Sequence, residues 1–383
     1  MSPGRPRRTF APMPAYLIQE DLLRRNLEIV ADVAAAADVR IILALKAFAY
    51  WPAFPIIAEY LPGATASSLN EARLIRDHFG RRPHVYARVY RPEEFGELAD
   101  LAGHLTFNSL AQLERYRPEW ERRGLSAGLR VNPEYSPVET DLYNPANPHG
   151  RLGETLPNLP TKTPAGLRGL HVHTLCESPA AATATLIERT LSQFGHYLPD
   201  LRWLNLGGGH LMTREGYDHA TLIDALRRLR RRHPHLEVIL EPGSAVVWGT
   251  GTLTARVLDI VENYGRRTLM LDVSFTCHMP DTLEMPYRPS VHGVSATEDP
   301  AYPYAYRLGG MSCLAGDYLD DYYFAQPVRV GDELTFGDMS HYTTVKTTMF
   351  NGVPHPDIRL VDAHGETLAE RRFTYGDYER RMG

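Results

Sequence analysis

The pattern of apolar and polar positions has two textures that meet near residue 241. Before that point, short apolar runs of strand length are separated by stretches with helical spacing. Residues 15–18 read as a short strand, and residues 20–37 place Leu22, Leu23, Leu27, Val30 and Val33 at helical intervals. Strand-like segments follow at 41–46, 64–67, 84–89, 105–108, 127–131, 167–174, 202–206 and 237–241, with helical candidates at 70–79, 92–101, 180–197 and 219–232 between most of them. Eight strands in β-α alternation predict a closed (β/α)8 barrel of the TIM type. After residue 241 the helical spacing disappears. Alternating or β-branched runs at 253–261, 268–273, 328–336, 343–349, 358–361 and 367–375, punctuated by turns such as Val330-Gly331-Asp332-Glu333 and Asn351-Gly352, predict an all-β, β-barrel-like second domain. Residues 279–306, rich in proline and tyrosine, read as a long functional loop. The expected division is a barrel over 20–245 and a β domain built from 1–19 with 246–383.

Composition narrows the class. With 383 residues, 43% of them hydrophobic, the chain can bury cores for two domains. A net charge of -5 gives no basic field for nucleic acid and suits a small cationic substrate. Three cysteines, Cys176, Cys277 and Cys313, are too few for a disulfide framework and fit a reducing compartment. No apolar run approaches the ~20 residues of a membrane helix. The opening Met-Ser-Pro-Gly-Arg-Pro-Arg-Arg lacks the apolar core of a signal peptide, so it reads as a frayed end and the protein as cytoplasmic.

Candidate chemistry lies where barrel strands end, because the loops at that face carry catalysis. The first such end is Lys46, one of only three lysines in a chain that otherwise uses arginine for positive charge. Arginine cannot be deprotonated, whereas a desolvated lysine amine can add to a carbonyl. A lysine snorkelling from a strand end is the plain alternative. Later ends carry Arg130, His171-Val172-His173, Gly207-Gly208-Gly209-His210 and Glu241-Pro242-Gly243-Ser244. The glycines suit either a plain turn or a phosphate cradle, and they lack the spacing of a dinucleotide fingerprint. The pair His171 and His173 suits a metal-dependent barrel hydrolase, but further ligands at later strand ends are missing, so no metal is expected.

An imine-forming lysine, a phosphate cradle, a histidine for a flat ring and a buried glutamate together describe a pyridoxal phosphate (PLP) site. Here the sequence resembles the fold-type III, alanine racemase-like PLP decarboxylases, and among them most closely the carboxynorspermidine/carboxyspermidine decarboxylases of polyamine synthesis. The resemblance spans essentially the whole chain. It rests on the motifs above and on Leu271-Asp-Val-Ser-Phe-Thr-Cys-His-Met-Pro-Asp281, Ser312-Cys-Leu-Ala-Gly-Asp317 and His341-Tyr-Thr-Thr-Val-Lys-Thr-Thr-Met-Phe-Asn-Gly352. It implies that Lys46 carries PLP, that His173 stacks on the ring, and that Glu241 faces the pyridine nitrogen. Arg130, Gly207, Gly208, Gly209, Gly243 and Tyr342 would complete the cofactor site. Cys313, as proton donor, and Asp317 would come from a partner subunit of a homodimer with shared active sites. Glu177, His210, Asp281, Glu284 and Asp317 would meet the substrate; Asp320 and Asp321 serve a solvated face equally well.

Two departures matter. Ser244 stands where relatives such as ornithine decarboxylase place a phosphate-binding arginine, and the aspartate of their Cys-Asp-Gly is absent, which argues against simple ornithine or arginine as substrate. The expected reaction is decarboxylation of a carboxylated polyamine. The alternatives are another decarboxylase or racemase of basic amino acids within the fold type, or a homologue without activity. Racemases of the superfamily set arginine, not glutamate, against the pyridine nitrogen.

Overall fold

The structure, a computed structural model, describes residues 14–383. The opening residues, read above as a frayed end, lie outside that range. The chain divides into two compact units, one running to Glu20 and resuming at Gly249–Gly383, the other Asp21–Trp248.

The central unit is a parallel barrel. Leu43–Ala44 pairs with Ala64–Ala66, and the ladder continues through His84–Tyr86, His104–Phe107, Ser126–Arg130, Gly169–His171, Trp203–Asn205 and Glu237–Leu240. The last strand pairs with Arg40–Ile41. Because Arg40–Ile41 and Leu43–Ala44 are two halves of one strand broken at Ile42, the ring closes on eight strands, as the alternation predicts. Helices form where apolar residues recur on one stripe. Glu20–Ala37 buries Leu23, Leu27, Val30, Val33 and Ala37, and His219–Arg232 buries Leu222, Ala225, Leu226 and Leu229. The second of these starts on a side-chain cap, Asp218 accepting from Thr221 N, and ends on three arginines that suit the negative end of its dipole.

Inside the barrel, Ile42, Trp203 and Ile239 pack together. Trp203 dictates its neighbours: a Cβ on Gly169 would lie 2.0 Å from the indole, so only glycine lets that large ring fill the interior.

The other unit is a nine-stranded mixed sheet. Its spine is Gly251–Asn263, which pairs with Ala15–Gln19 and Glu333–Gly337 along its first half and with Arg266–Leu271 along its second, with a register shift between Val257 and Asp259. Several expectations for this unit are corrected. Residues 343–349 are a turn followed by irregular chain and not a strand: Tyr342 has φ 55°, and the hydroxyls of Thr343 and Thr344 donate back to Met339 O and Ser340 O, in competition with a ladder. The strand expected over 367–375 stops at Arg371, because Thr374 and Asp377 form a capping box that starts a helix over Tyr375–Met382. The segment 279–306 is not all loop: it holds a short helix at Asp281–Glu284 and leads into the strand Tyr304–Gly309. The strand Tyr318–Phe324 has no counterpart in the sequence reading.

Candidate active site

The barrel unit brings Lys46, Arg130, His173, the glycines and Glu241 to the C-terminal ends of its strands. Lys46 follows Leu43–Ala44 by two residues. Solvent reaches its side chain, yet protein surrounds the amine closely enough for burial to lower its pKa, with the Arg130 and Arg88 guanidiniums pushing the same way against Cys176 and Glu241. Lys46 Nζ lies 3.3 Å from His173 Nε2. The amide of Gly208 donates to His173 Nδ1 at 2.8 Å. An amide can only donate, so a neutral imidazole must carry its proton on Nε2, facing the lysine. Burial, the largest cause, holds the His173 pKa well below its usual value, which favours the neutral ring. An Nε2–H donor can be accepted only by an unprotonated amine, which is the nucleophilic form of Lys46.

Glu241, at 7% exposure, ends the eighth strand. Its Oε1 accepts from Asn205 Nδ2 at 2.7 Å, and Thr65 adds a second bond. Burial pushes its carboxyl up to about 7, while the bonds from Asn205 and Thr65 and the charges of Lys46 and Arg130 oppose the rise. A carboxyl that exchanges its proton near neutrality is matched to a partner nitrogen that gains and loses charge. Asn205 also accepts from Gly207 N at 2.8 Å, so one buried amide fixes both the acid and the start of the glycine turn. Arg130, 3% exposed, donates to Tyr86 Oη and to His173 O, both at 2.8 Å, and so braces the histidine from behind.

The glycine turn needs a correction. Gly207 and Gly209 have φ of 68° and 92°, and a Cβ at Gly207, Gly208 or Gly209 would lie 2.5, 2.4 or 2.2 Å from His173 Nδ1, Glu241 O or Leu175 O. The amides of Gly207 and Gly208, expected to cradle a phosphate, donate instead to Asn205 and His173. Close backbone approach explains why these positions are glycine. Gly243 is likewise packed, a Cβ there falling 2.5 Å from Ala47 Cβ.

The histidine pair does not converge as metal ligands would: the rings of His171 and His173 are 6.2 Å apart, and His171 Nε2 lies 3.7 Å from Glu241 Oε2. Among the described residues no group of three or more His, Cys, Asp or Glu is placed to hold a metal. His210 is 1% exposed with Nδ1 2.9 Å from Thr183 Oγ1, and burial lowers its pKa to about 4. The backbone at Gly207 and Leu206 hydrogen-bonds that ring and opposes the shift. Glu177 is exposed with φ 46°.

The sheet unit holds the remaining candidates. Cys313 is exposed and free. Asp317 is 4% exposed and accepts four hydrogen bonds, from Phe275 N, Thr276 N, Ser274 Oγ and Ser312 N at 2.7 to 3.1 Å. Those four donors occupy its lone pairs from within the sheet unit. Asp281 and Glu284 both bind Lys346 Nζ, the latter at 2.6 Å. Tyr342 is half-buried. From the strand Tyr318–Phe324, Asp320 and Asp321 pair with Arg266 of the strand Arg266–Leu271.

Sequence reasoning missed Asn205, Thr65, Tyr86 and Asn351. Asn205 had a readable signal, since it lies two residues before a glycine run at a strand end, where an Asx side chain commonly takes the following amide.

An amine nucleophile whose pKa is lowered by burial, beside an imidazole and a buried acid poised near neutrality, is the donor set for a pyridine ring bearing an aldehyde. The comparison with protein families agrees: the model of the pyridoxal-dependent decarboxylases, under its C-terminal sheet domain description, matches residues 30–340. The chain belongs to the pyridoxal-dependent decarboxylase family. Its cofactor is PLP. Among characterised relatives, this decarboxylase is 50% identical to the carboxyaminopropylagmatine decarboxylase of Synechocystis over 99% of this chain and 97% of that protein. It is 38% identical to the carboxynorspermidine/carboxyspermidine decarboxylase of Campylobacter jejuni over 96% and 98%. The crystal structure of carboxynorspermidine decarboxylase from Campylobacter jejuni with norspermidine superposes with a TM-score of 0.89 at 36% identity, covering 97% of this chain and 100% of that one.

Proposed function

We propose that this decarboxylase removes the carboxyl group from a carboxylated polyamine, with carboxyaminopropylagmatine preferred over carboxynorspermidine and carboxyspermidine. The observation that carries the preference is the 50% identity over nearly the full length of the Synechocystis enzyme, against 38% for the Campylobacter jejuni relative. Carboxynorspermidine or carboxyspermidine, the substrates expected from the sequence, form the second reading, supported by the superposition with the norspermidine complex. Agmatine ends in a guanidinium, which a carboxylate can hold with two parallel bonds that an ammonium cannot form. Assays of the three substrates should give carboxyaminopropylagmatine a kcat/KM at least about tenfold above the others, a margin worth ~1.4 kcal/mol. A higher value for either spermidine derivative would reverse the preference.

Bound PLP supplies an electron sink for the bond to the departing carboxylate. Lys46 would anchor the cofactor through its unprotonated amine and yield it to the substrate amine. Glu241, oriented by Asn205 and Thr65, would keep a proton at the pyridine nitrogen, and His173, braced by Arg130 and Gly208, would present its ring. Gly209 and Gly243 are the phosphate candidates of the barrel unit, since the first two amides of the glycine turn are engaged; for Tyr342 the resemblance alone supports that role. Cys313 would return a proton to Cα.

We further propose a cytoplasmic homodimer in which Cys313 serves the Lys46 of the partner subunit. Three cysteines with no disulfide among them support the reducing setting, and the resemblance on the Cys313 motif supports the shared site. Lys46→Ala and Cys313→Ala subunits, each strongly impaired alone, should regain about a quarter of wild-type activity after exchange, because random mixing makes about half the dimers mixed and each of these has one intact site. A mixture as inactive as its parents, after demonstrated exchange, would place both residues in one chain's site.

A further inference from the structure

Three motifs of the sheet unit, distant in sequence, meet around the turn that carries Cys313. The helix Phe275–His278 leaves its first amides without helical partners. Asp317 takes two of them, Oδ1 accepting from Phe275 N at 2.7 Å and from Thr276 N at 3.1 Å. Oδ2 accepts from Ser274 Oγ at 2.8 Å and from Ser312 N at 2.9 Å. One buried carboxylate thus ties the start of that helix to the residue before Cys313. Nothing larger than glycine fits behind it, since a Cβ on Gly310 would lie 2.5 Å from the carboxylate.

The third segment closes the circuit. Cys313 N donates to Asn351 Oδ1 at 2.8 Å. Asn351 sits in the left-handed region at φ 59°, which asparagine tolerates better than most residues. Its loop is fastened to the same helix by Thr348 N donating to Cys277 O at 2.9 Å. Helix, Cys313 turn and Asn351 loop therefore hold one another through Asp317 on one side and Asn351 on the other.

We infer that Asp317 and Asn351 are positioning residues that fix the Cys313 thiol, and that neither contacts substrate. The inference rests on the reading of Cys313 as the proton donor. It replaces the substrate-binding role expected for Asp317 and gives Asn351 a role through its bond to Cys313.

The test is a double-mutant cycle on the holoenzyme with the best of the three substrates. Asp317→Asn exchanges an acceptor oxygen for an amide that faces donors, and Asn351→Gly removes the side chain while keeping the positive φ unstrained. Each should lower kcat by about tenfold or more while KM stays within about twofold, because a displaced donor slows the chemical step without loosening binding. In a Cys313→Ala background neither should lower the residual rate further. Independently of activity, hydrogen exchange in the segment 310–316 should be faster in both variants than in wild type. A rise in KM larger than the fall in kcat would make Asp317 a substrate ligand and overturn the inference. Losses that multiply with that of Cys313→Ala, or unchanged kcat or exchange, would overturn it as well. If Asp317→Asn does not fold, Asn351→Gly alone decides. Wild-type kcat in Cys313→Ala would remove both the inference and the reading of Cys313, whereas an impaired Cys313→Ala beside two wild-type-like variants would remove the inference alone.

Discussion

Lys46→Ala is expected to lower turnover by roughly 10³-fold or more, because in the proposed role it deletes the nucleophile that would anchor the cofactor, and the later steps cannot recover it. The fold should not suffer. Lys46 makes its close contact to His173 Nε2 at 3.3 Å, and its pKa is lowered by burial, so an ammonium there is disfavoured in the folded chain. Thermal unfolding of Lys46→Ala should therefore occur at or slightly above the wild-type temperature. Retention of more than a few per cent of activity, with added cofactor, would contradict the role assigned to this lysine.

Glu241→Gln is expected to separate rate from affinity. The glutamine amide matches the carboxylate in size but cannot carry the charge that keeps a pyridine nitrogen protonated, so kcat should fall by about 10²- to 10³-fold. The dissociation constant for PLP should rise by less than about tenfold, since the substitution leaves Lys46, His173 and the glycine turn in place. Asn205 adds a refinement. It donates to Glu241 Oε1 at 2.7 Å, and glutamine can still accept that bond through its carbonyl oxygen, which keeps the local packing intact. Equal losses in rate and affinity would make Glu241 a structural residue.

How much of this was legible beforehand depended on period and on partners. The barrel was readable because each strand is a short apolar run, and because helices such as Glu20–Ala37 and His219–Arg232 repeat their apolar stripe every 3.6 residues. The sheet unit was harder. Residues 343–349 have β-branched composition, yet threonine hydroxyls that bond back to the chain make turns of them, and composition alone cannot register that competition. Within the site, Lys46, His173 and Glu241 were visible because each ends a barrel strand. The glycine turn was only half legible: a Gly-Gly-Gly run announces close approach, but which atoms approach is a matter of tertiary structure, and here they are His173, Glu241 and Leu175. Asp317 shows the same limit, for the four internal donors of an acidic residue in a loop come from segments far apart in sequence and cannot be read beforehand.

The central claim is that this decarboxylase holds PLP on Lys46, and the three lysines of the chain make it directly measurable. The purified protein is reduced with borohydride, and its peptides are searched by mass for a pyridoxyl phosphate adduct. The expected result is loss of the visible absorption band together with one adduct, on Lys46. An adduct confined to Lys162 or Lys346, or none in a protein that turns over its substrate, would contradict the account.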